Sequence, residues 1–304
     1  MRILIGIDGG GTKTRTLAVT QDGTILADLT TAGSNINHHG WAGVEESLFA
    51  LFEQVRTHVP SYANVASLCL GFAGIDREPD RVRMEQWTAA QWPGAQVSVV
   101  HDARIALEAG LPPDAQNRAG IVLIAGTGSV AYGRNAAGLE ARVGGWGYLL
   151  GDEGSGYDLG RRAITAVLRA YDGRDPQTLL STLVLSAYGV QEPTELLPIV
   201  YGESTSRGQV AKLARLVIEA AAAGDSVAQG LLDSGAGELA ALVVALLKKM
   251  NFTARHVPVV LAGGLFSTGS PLIELLASRL PDSVELRPGQ PPVFGALRLA
   301  REGR

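Results

Sequence analysis

The chain has 304 residues, of which 46% are hydrophobic and 18% charged, so it can bury a large core. This composition excludes disordered, collagen-like and disulfide-stapled proteins, and at about 150 residues per domain the length favours two domains. The net charge of −4 offers no basic surface to a nucleic-acid backbone or an anionic membrane, and we expect neither as a partner.

The first half of the chain opens on apolar strands separated by a polar glycine loop and a tight turn. Asp22-Gly23 between two apolar runs is a strong hairpin signal. Alternating helices and short strands follow. Strands are predicted over 3–7, 16–19, 25–29, 67–72 and 96–100, and helices near 44–56, 81–91 and 103–108.

The second half repeats this order from Gly120 onwards. Hairpins followed by alternating helices and strands predict an α/β protein built from two similar halves. The segment 111–119 contains two prolines and several polar residues, and is the best boundary between the halves. Strands are predicted over 121–125, 130–132, 140–143 and 257–262, and helices over 156–171, 178–187, 208–223, 226–250, 270–280 and from 294.

The single cysteine, Cys69, lies in the apolar run 65–70, where we expect a small core residue. One cysteine excludes an intramolecular disulfide and a cysteine-ligated metal site within one chain. No apolar run approaches the ~18 residues of a spanning helix, and the first residues lack a signal-peptide core. The sequence therefore predicts a soluble cytoplasmic protein.

The first glycine loop directly follows a strand that is predicted to be buried. Its glycines would let backbone N–H groups approach an anion, and its lysine and threonines add donors, so it suits a nucleotide phosphate chain. The spacing matches neither a Walker loop nor the dinucleotide fingerprint, and a purely structural glycine turn is the alternative. The candidate phosphate contacts are Gly10, Gly11, Thr12 and Lys13.

Two aspartates follow predicted strands and could do chemistry. Asp8 lies inside the first glycine loop, where a buried carboxylate is costly unless it meets a cation. Mg²⁺ or its water shell is the chemical interpretation, and an Asx-type turn cap is the alternative. Asp102 precedes a helix and could be a general base for an attacking hydroxyl, or a plain helix N-cap. We expect His101 beside it to be structural.

Two further glycine motifs follow strands in the second half. Gly126-Thr127-Gly128-Ser129 fits the tip of a hairpin, because glycines recur too soon afterwards for the helix that a dinucleotide site needs. As the counterpart of the first loop, it would help to clamp a triphosphate and its metal from both sides. Gly263-Gly264 could lie flat against an adenine ring or a ribose, or serve only helix–strand packing.

The segment 144–157 combines dense glycine with an aromatic residue, two acids and a serine. This combination suggests backbone shaped around a polar ligand, with Asp152 and Glu153 accepting hydrogen bonds from hydroxyls. Carboxylates together with Trp146 are what a sugar site needs. The polar stretch 33–40 could reach the same ligand, and its adjacent histidines would point to opposite sides of an extended segment.

These motifs in this order resemble the actin, hexokinase and heat-shock chaperone ATPase superfamily. Within it they are similar to the N-acetylglucosamine kinase branch, which is grouped with the BadF/BadG/BcrA/BcrD ATPases. The resemblance extends from Ile5 to Leu297. The most specific motif is Gly145-Trp-Gly-x-x-x-Gly-Asp-Glu-Gly-Ser155, and Ile-Ala-Gly-Thr-Gly-Ser129 supports it.

The resemblance implies two ribonuclease-H-like domains of the actin-like ATPase fold that flank a nucleotide and sugar cleft. The domains would be 1–114 and 115–292, with the C-terminal helix near 293–304 packing on the first. It also implies a role for individual residues. Asp8 would organise Mg²⁺, Thr12 and Thr127 would contact the phosphates of ATP, Gly263-Gly264 with Ala211 would edge the adenosine pocket, Asp102 would be catalytic, and Asn37, Ser129, Gly145, Gly147 and Asp152 would line the sugar site.

The expected activity is phosphoryl transfer from MgATP to the 6-hydroxyl of a hexosamine, and N-acetylglucosamine is the first candidate for this sugar. Ala73 stands where the mammalian-type kinases carry a serine near the acetamido group, which leaves other hexosamines open. The alternatives are a kinase for glucosamine, N-acetylmuramic acid or glucose, and a non-kinase ATPase switch or sugar sensor. A homodimer is an expectation from the resemblance alone.

Overall fold

The computed structural model describes residues 1–10, 13–34, 36–60, 63–75, 77–112, 118–202, 205–252 and 256–303, without the side chains of 37–39. The chain forms two compact units. Unit 1 comprises residues 1–118 together with 288–304, and unit 2 comprises residues 119–287.

Unit 1 is a five-stranded sheet with helices packed on both faces. Its elements are β1 (Arg2–Gly9), β2 (Lys13–Thr20), β3 (Ile25–Ala32), α1 (Ile36–His58), β4 (Asn64–Phe72), α2 (Glu78–Gln91), β5 (Gln96–His101), α3 (Asp102–Gly110) and a C-terminal helix (Pro292–Glu302). The strand order is β3-β2-β1-β4-β5. β1 is antiparallel to β2 and parallel to β4, and β4 is parallel to β5.

The central strand β1 is apolar from Ile3 to Ile7 because both faces of its sheet are covered there. Ile3, Ile5 and Ile7 pack in the cluster that contains the buried face of α1, whereas Leu4 packs on the other face with residues of α3 and the C-terminal helix. Cys69 is fully buried in that second cluster, which confirms it as a core residue. Burial raises the pKa of its thiol to about 12.

Unit 2 repeats this arrangement. Its elements are β6 (Gly120–Ala125), β7 (Ser129–Arg134), β8 (Glu140–Gly144), α4 (Gly156–Tyr171), α5 (Leu179–Tyr188), α6 (Leu196–Val200), α7 (Arg207–Lys212), α8 (Ala214–Ala222), α9 (Ser226–Lys249), β9 (Val257–Ala262), α10 (Pro271–Ala277) and β10 (Val284–Pro288). The C-terminal helix of unit 1, which follows β10 in the chain, is α11. The order β8-β7-β6-β9-β10 matches that of unit 1, with two antiparallel pairs followed by a parallel one. The predicted internal repeat and the α/β class are thus confirmed.

Two local predictions are wrong, and two short elements were not predicted. The stretch 36–40 is helical and not extended, since helix α1 begins at Ile36. The helix kinks at Gly40, and Ile36 and Trp41 both pack against the core. The predicted helix 208–223 is two helices, since the backbone at Leu213 forms shorter i→i+3 bonds. The short elements α6 and β10 were not predicted, although alternating apolar and charged residues in β10 carried a strand signal.

Helix α9 also differs from expectation. With 24 residues and a mean hydropathy of 1.6 over its most apolar window, it is long and apolar enough to cross a membrane. Eight of its residues are buried, however, and seven of them belong to the core cluster of unit 2, where the helix packs against α8 and α10. Packing within the unit explains its apolar composition.

Candidate active site

Asp8 and Asp102 lie at the same edge of the unit 1 sheet. Asp8 is the penultimate residue of β1, and Asp102 directly follows β5. Because β1, β4 and β5 are parallel, their carboxyl ends meet at one edge, which is where α/β sheets bind ligands. Burial and, to a lesser extent, the negative charge of Asp102 raise the pKa of Asp8 to about 6, against the opposing charges of Lys13 and Arg15.

The first glycine loop is held closely by backbone hydrogen bonds. The N–H of Gly10 donates to the carbonyl of Lys13 at 3.0 Å, and the carbonyl of Gly10 accepts from the N–H of Ser34 at 3.0 Å. The carbonyl of Gly9 accepts from the N–H of Ala73 at 3.0 Å. Two of the predicted phosphate contacts, Gly11 and Thr12, lie outside the described residues. For Asn37 the structure describes only the backbone, in the first turn of α1.

Asp102 is the first residue of α3, and the helix cap is His101. The N-cap alternative for Asp102 is therefore wrong. Nδ1 of His101 lies 2.8 Å from Oδ1 of Asp102, and the N–H of Ala103 donates to the same oxygen at 2.7 Å. The same N–H also donates to Nδ1 of His101 at 3.1 Å, which is how His101 caps the helix. Nδ1 is therefore an acceptor, and the backbone N–H of Ala103 orients the carboxylate of Asp102. His101 thus has the structural role that the sequence predicted for it, as the cap of α3.

In unit 2 the hairpin loop (residues 126–129) is bonded to the N-terminus of α4. The N–H of Gly156 donates to the carbonyl of Gly126 at 2.8 Å, and the N–H of Tyr157 donates to the carbonyl of Thr127 at 3.2 Å. Ser129 is buried, and its hydroxyl donates to the carbonyl of Glu153 at 2.8 Å. The predicted hairpin tip is thus confirmed as a turn between β6 and β7.

The aromatic loop (residues 144–151) and Asp152 lie against this hairpin. The N–H of Gly145 donates to the carbonyl of Ser129 at 3.0 Å. The buried carboxylate of Asp152 accepts from the backbone N–H groups of Ser129 and Gly147, which lower its pKa, while burial has the larger effect and raises it. Trp146 is 65% exposed. One carboxylate therefore joins the hairpin loop to the aromatic loop.

Gly128 is the point of closest approach between these segments. A Cβ at this position would lie 2.7 Å from Oδ2 of Asp152, so only glycine leaves room for the carboxylate.

The remaining predicted residues of unit 2 lie beside the same hairpin. Ala211 in α7 is in contact distance of Gly156, because its carbonyl would be 3.2 Å from a Cβ there. Gly263 follows β9 with φ of +99° and packs against Ala125, the residue before the hairpin loop. Gly264 begins the short 3₁₀ turn after it. The structure therefore brings the predicted residues together in two groups, one in each unit.

The residues around Asp8 suit a magnesium ion that is bound largely through water and phosphate. Mg²⁺ prefers oxygen ligands and commonly takes only one or two carboxylates, with waters and substrate phosphates completing its shell. The raised pKa of Asp8 marks a carboxylate whose negative charge is poorly compensated by the protein alone. Among the described residues, no group of three or more His, Cys, Asp or Glu side chains forms a metal cage.

In metal-free buffer, we expect Asp8→Asn to be more stable than the parent at pH 7.5, by about 3 kcal/mol. The folded pKa of about 6 exceeds the value of 3.8 that is usual for an aspartate. The folded state therefore holds the proton more tightly, and the parent loses stability as the pH rises from 4 to 6. Asn lacks this titration, so the advantage should vanish near pH 4. Urea unfolding of both proteins at several pH values measures the difference in their free energies of unfolding. A difference that does not change with pH would contradict the raised pKa of Asp8.

Known families and proteins match the chain over most of its length. It matches the BadF/BadG/BcrA/BcrD ATPase family over residues 5–300. It is 35% identical to the N-acetylmuramic acid/N-acetylglucosamine kinase of Clostridium acetobutylicum, over 88% of this chain and 86% of that protein. It is 34% identical to the N-acetyl-D-glucosamine kinase of Dictyostelium discoideum, over 98% of this chain and 97% of that protein.

Structural similarity extends over the same length. The crystal structure of a candidate N-acetylglucosamine kinase from Chromobacterium violaceum matches with a TM-score of 0.71 and 30% identity, over 99% of both chains. Each unit contains a five-stranded sheet with the same strand order, and the family and the relatives match most of the chain. The chain therefore belongs to the BadF/BadG/BcrA/BcrD ATPase family and has the actin-like ATPase fold of the sugar kinases.

Proposed function

We propose that the protein phosphorylates the 6-hydroxyl of an amino sugar with ATP, and that N-acetylglucosamine is its main substrate. The observation that carries this proposal is the juxtaposition of Asp8 and Asp102 at the carboxyl edge of the unit 1 sheet. The relatives described above, which are named as kinases of N-acetylglucosamine, support the choice of sugar.

Asp102 is proposed to orient the sugar hydroxyl and accept its proton. A general base must lie within hydrogen-bond reach of that proton, and the N–H of Ala103, which donates to Oδ1 at 2.7 Å, holds the carboxylate in one orientation. Gly10, Gly11, Thr12 and Lys13 would supply donors to the phosphates. Phosphoryl transfer depends mainly on positioning and on charge stabilisation, so no covalent intermediate with the protein is needed.

Asp8 would hold Mg²⁺. When bound, the ion neutralises negative charge on the β- and γ-phosphates.

In unit 2, the hairpin loop residues Gly126, Thr127 and Gly128 are proposed to contact the phosphates of ATP. Gly263, Gly264 and Ala211 would edge the adenosine. These assignments agree with the backbone contacts that hold the hairpin, α4, α7 and β9 together.

The sugar is proposed to contact Ser129, the aromatic loop and Asp152. Because the hydroxyl of Ser129 donates its hydrogen to Glu153, its oxygen remains an acceptor for a sugar hydroxyl. Gly145 and Gly147 would present backbone to the sugar, and Trp146 an apolar face. Asn37 in α1 would be a further contact. We place the protein in the cytoplasm, where ATP is available.

The proposal is tested by measuring ADP release with a panel of sugars. We expect ADP to form only when a sugar is added, with the highest kcat/KM for N-acetylglucosamine among N-acetylglucosamine, glucosamine, N-acetylmuramic acid and glucose. A different best substrate would revise the sugar and keep the class. ADP release that does not depend on a sugar would favour an ATPase switch, and sugar binding without ADP release would favour a sensor.

Gly128→Ala should raise the KM for the sugar roughly tenfold or more, because an added methyl group 2.7 Å from Oδ2 would displace the carboxylate of Asp152. Steady-state kinetics with the best sugar of the panel measure this effect. Gly230→Ala is the matched control, since a Cβ in α9 at this position would meet no atom within 4 Å. Equal KM values for the sugar in the two variants would show that Asp152 does not bind the sugar.

A further inference from the structure

The aromatic loop is held by arginines that lie outside it. The guanidinium carbon of Arg142 lies 5.1 Å from the ring centroid of Trp146, and that of Arg207 lies 5.1 Å from the ring centroid of Tyr148. Both distances are within the range of cation–π attraction. Arg142 is a residue of β8, directly before the loop, whereas Arg207 comes from the distant helix α7.

A continuous set of contacts leads from Arg207 to the hairpin loop. Tyr148 packs edge-to-face on Tyr157, with ring centroids 5.1 Å apart and an interplanar angle of 71°. Tyr157 lies in the first turn of α4, and its N–H donates to the carbonyl of Thr127. Arg207, Tyr148 and Tyr157 thus form a stack that connects α7, the aromatic loop and α4.

Helix α7 is a firm anchor for this stack. A Cβ at Gly160 of α4 would lie only 2.0 Å from the carbonyl oxygen of Val210, so the two helix backbones are in direct contact. Ser206 caps α7 in a capping box with Gln209. The position of Arg207 at the first turn of α7 is therefore set by main-chain packing, even though its side chain is exposed.

The stack ends where Asp152 is held. Gly147, the neighbour of Tyr148, donates its N–H to the carboxylate of Asp152. The positive charge of Arg207 also lowers the pKa of Asp152, against burial and the charge of Glu153, which raise it. Arg207 therefore acts on Asp152 in two ways, through the position of the loop and through its charge.

We propose that Arg207 is a positioning residue for the sugar site, which fixes the aromatic loop through Tyr148 and so keeps Asp152 in place. This inference rests on the proposed function, because it assumes that the aromatic loop and Asp152 bind the sugar. It adds a residue on the adenosine-side helix α7 to the set that determines sugar affinity.

The kinetic test compares Arg207→Ala, Tyr148→Ala, the double variant and the conservative Tyr148→Phe. We expect each alanine variant to raise the KM for the sugar about fivefold, with kcat and the KM for ATP within twofold of the parent. The effect of the double variant should be less than the sum of the two single effects, because both substitutions remove the contact between Arg207 and Tyr148. Tyr148→Phe should behave like the parent, since the ring face is retained.

A pH profile separates positioning from a merely structural role. With Arg207→Ala, the rise in the KM for the sugar at acidic pH should begin at a higher pH than in the parent, since Asp152 loses a nearby positive charge. Arg174→Ala is the charge control, because Arg174 pairs with Asp172 on the exposed surface of unit 2. Its profile should match the parent.

Hydrogen–deuterium exchange tests the inference independently of catalysis. In Arg207→Ala, amides of residues 146–151 should exchange at least threefold faster than in the parent, while those of β6 remain unchanged. If the parent shows no sugar-dependent turnover but the loop is loosened, the proposed function fails and the positioning by Arg207 stands. Unchanged exchange and an unchanged KM for the sugar would overturn the inference, as would additive effects in the double variant or a rise only in the KM for ATP.

Discussion

Asp102→Asn should retain binding of ATP and of the sugar and lose turnover by a factor of about 10²–10⁴. The amide has the same shape as the carboxylate, so the substituted side chain can still accept a hydrogen bond from the N–H of Ala103. It cannot accept the proton of the sugar hydroxyl. The loss should therefore appear in kcat, with the KM values for both substrates changed little.

Steady-state kinetics measure kcat, and calorimetric titrations measure the binding of ATP and of the sugar. Asp80→Asn is a matched control in the same unit, because Asp80 forms a surface pair with Arg77 in α2. We expect its kcat to equal that of the parent. Near-normal turnover in Asp102→Asn would end the proposed role of Asp102 as the base, and loss of sugar binding alone would make it a binding residue.

The second large effect is expected for Glu108→Gln, which removes a buried charge. We expect this variant to have a free energy of unfolding about 3–5 kcal/mol lower than that of the parent. Glu108 is fully buried in α3. Its carboxylate pairs with Arg104 at 2.7 Å and also with Arg118, which in turn contacts Glu302 of α11. Loss of the negative charge removes the partner that Arg104 and Arg118 share in a region of low dielectric.

Tryptophan fluorescence during urea unfolding reports this change, because three of the four tryptophans, Trp41, Trp87 and Trp92, lie in unit 1. Glu53→Gln is the control, since its pair with Arg56 is on the surface and should contribute less than about 1 kcal/mol. A loss below about 1 kcal/mol in Glu108→Gln would show that the buried cluster does not hold α3 and α11 together.

The order of strands along the chain could be read from the sequence because burial left a strong pattern. β1 and β6 are apolar runs covered on both faces, and each is followed by a glycine loop and a second strand. Asp22-Gly23 marked the β2–β3 hairpin by its turn chemistry. These signals are local, so a single sequence contains them.

The contacts within the site depend on distant segments, and the sequence could indicate residue types but not partners. Glycine density marked the aromatic loop, yet nothing local indicated that Asp152 accepts from the backbone of Ser129 and Gly147. Arg207 was missed because its stack on Tyr148 joins helices and loops far apart in the chain. The structural role predicted for His101 is confirmed, since its side chain caps α3.

The most direct test of the account is the identity of the product formed from ATP and N-acetylglucosamine. Phosphorus and proton NMR of the completed reaction should show one phosphate monoester on the 6-oxygen of the sugar for each ADP formed, and Asp102→Asn should form almost none. Inorganic phosphate in place of a sugar phosphate, or a phosphate on another oxygen, would contradict phosphoryl transfer to the 6-hydroxyl.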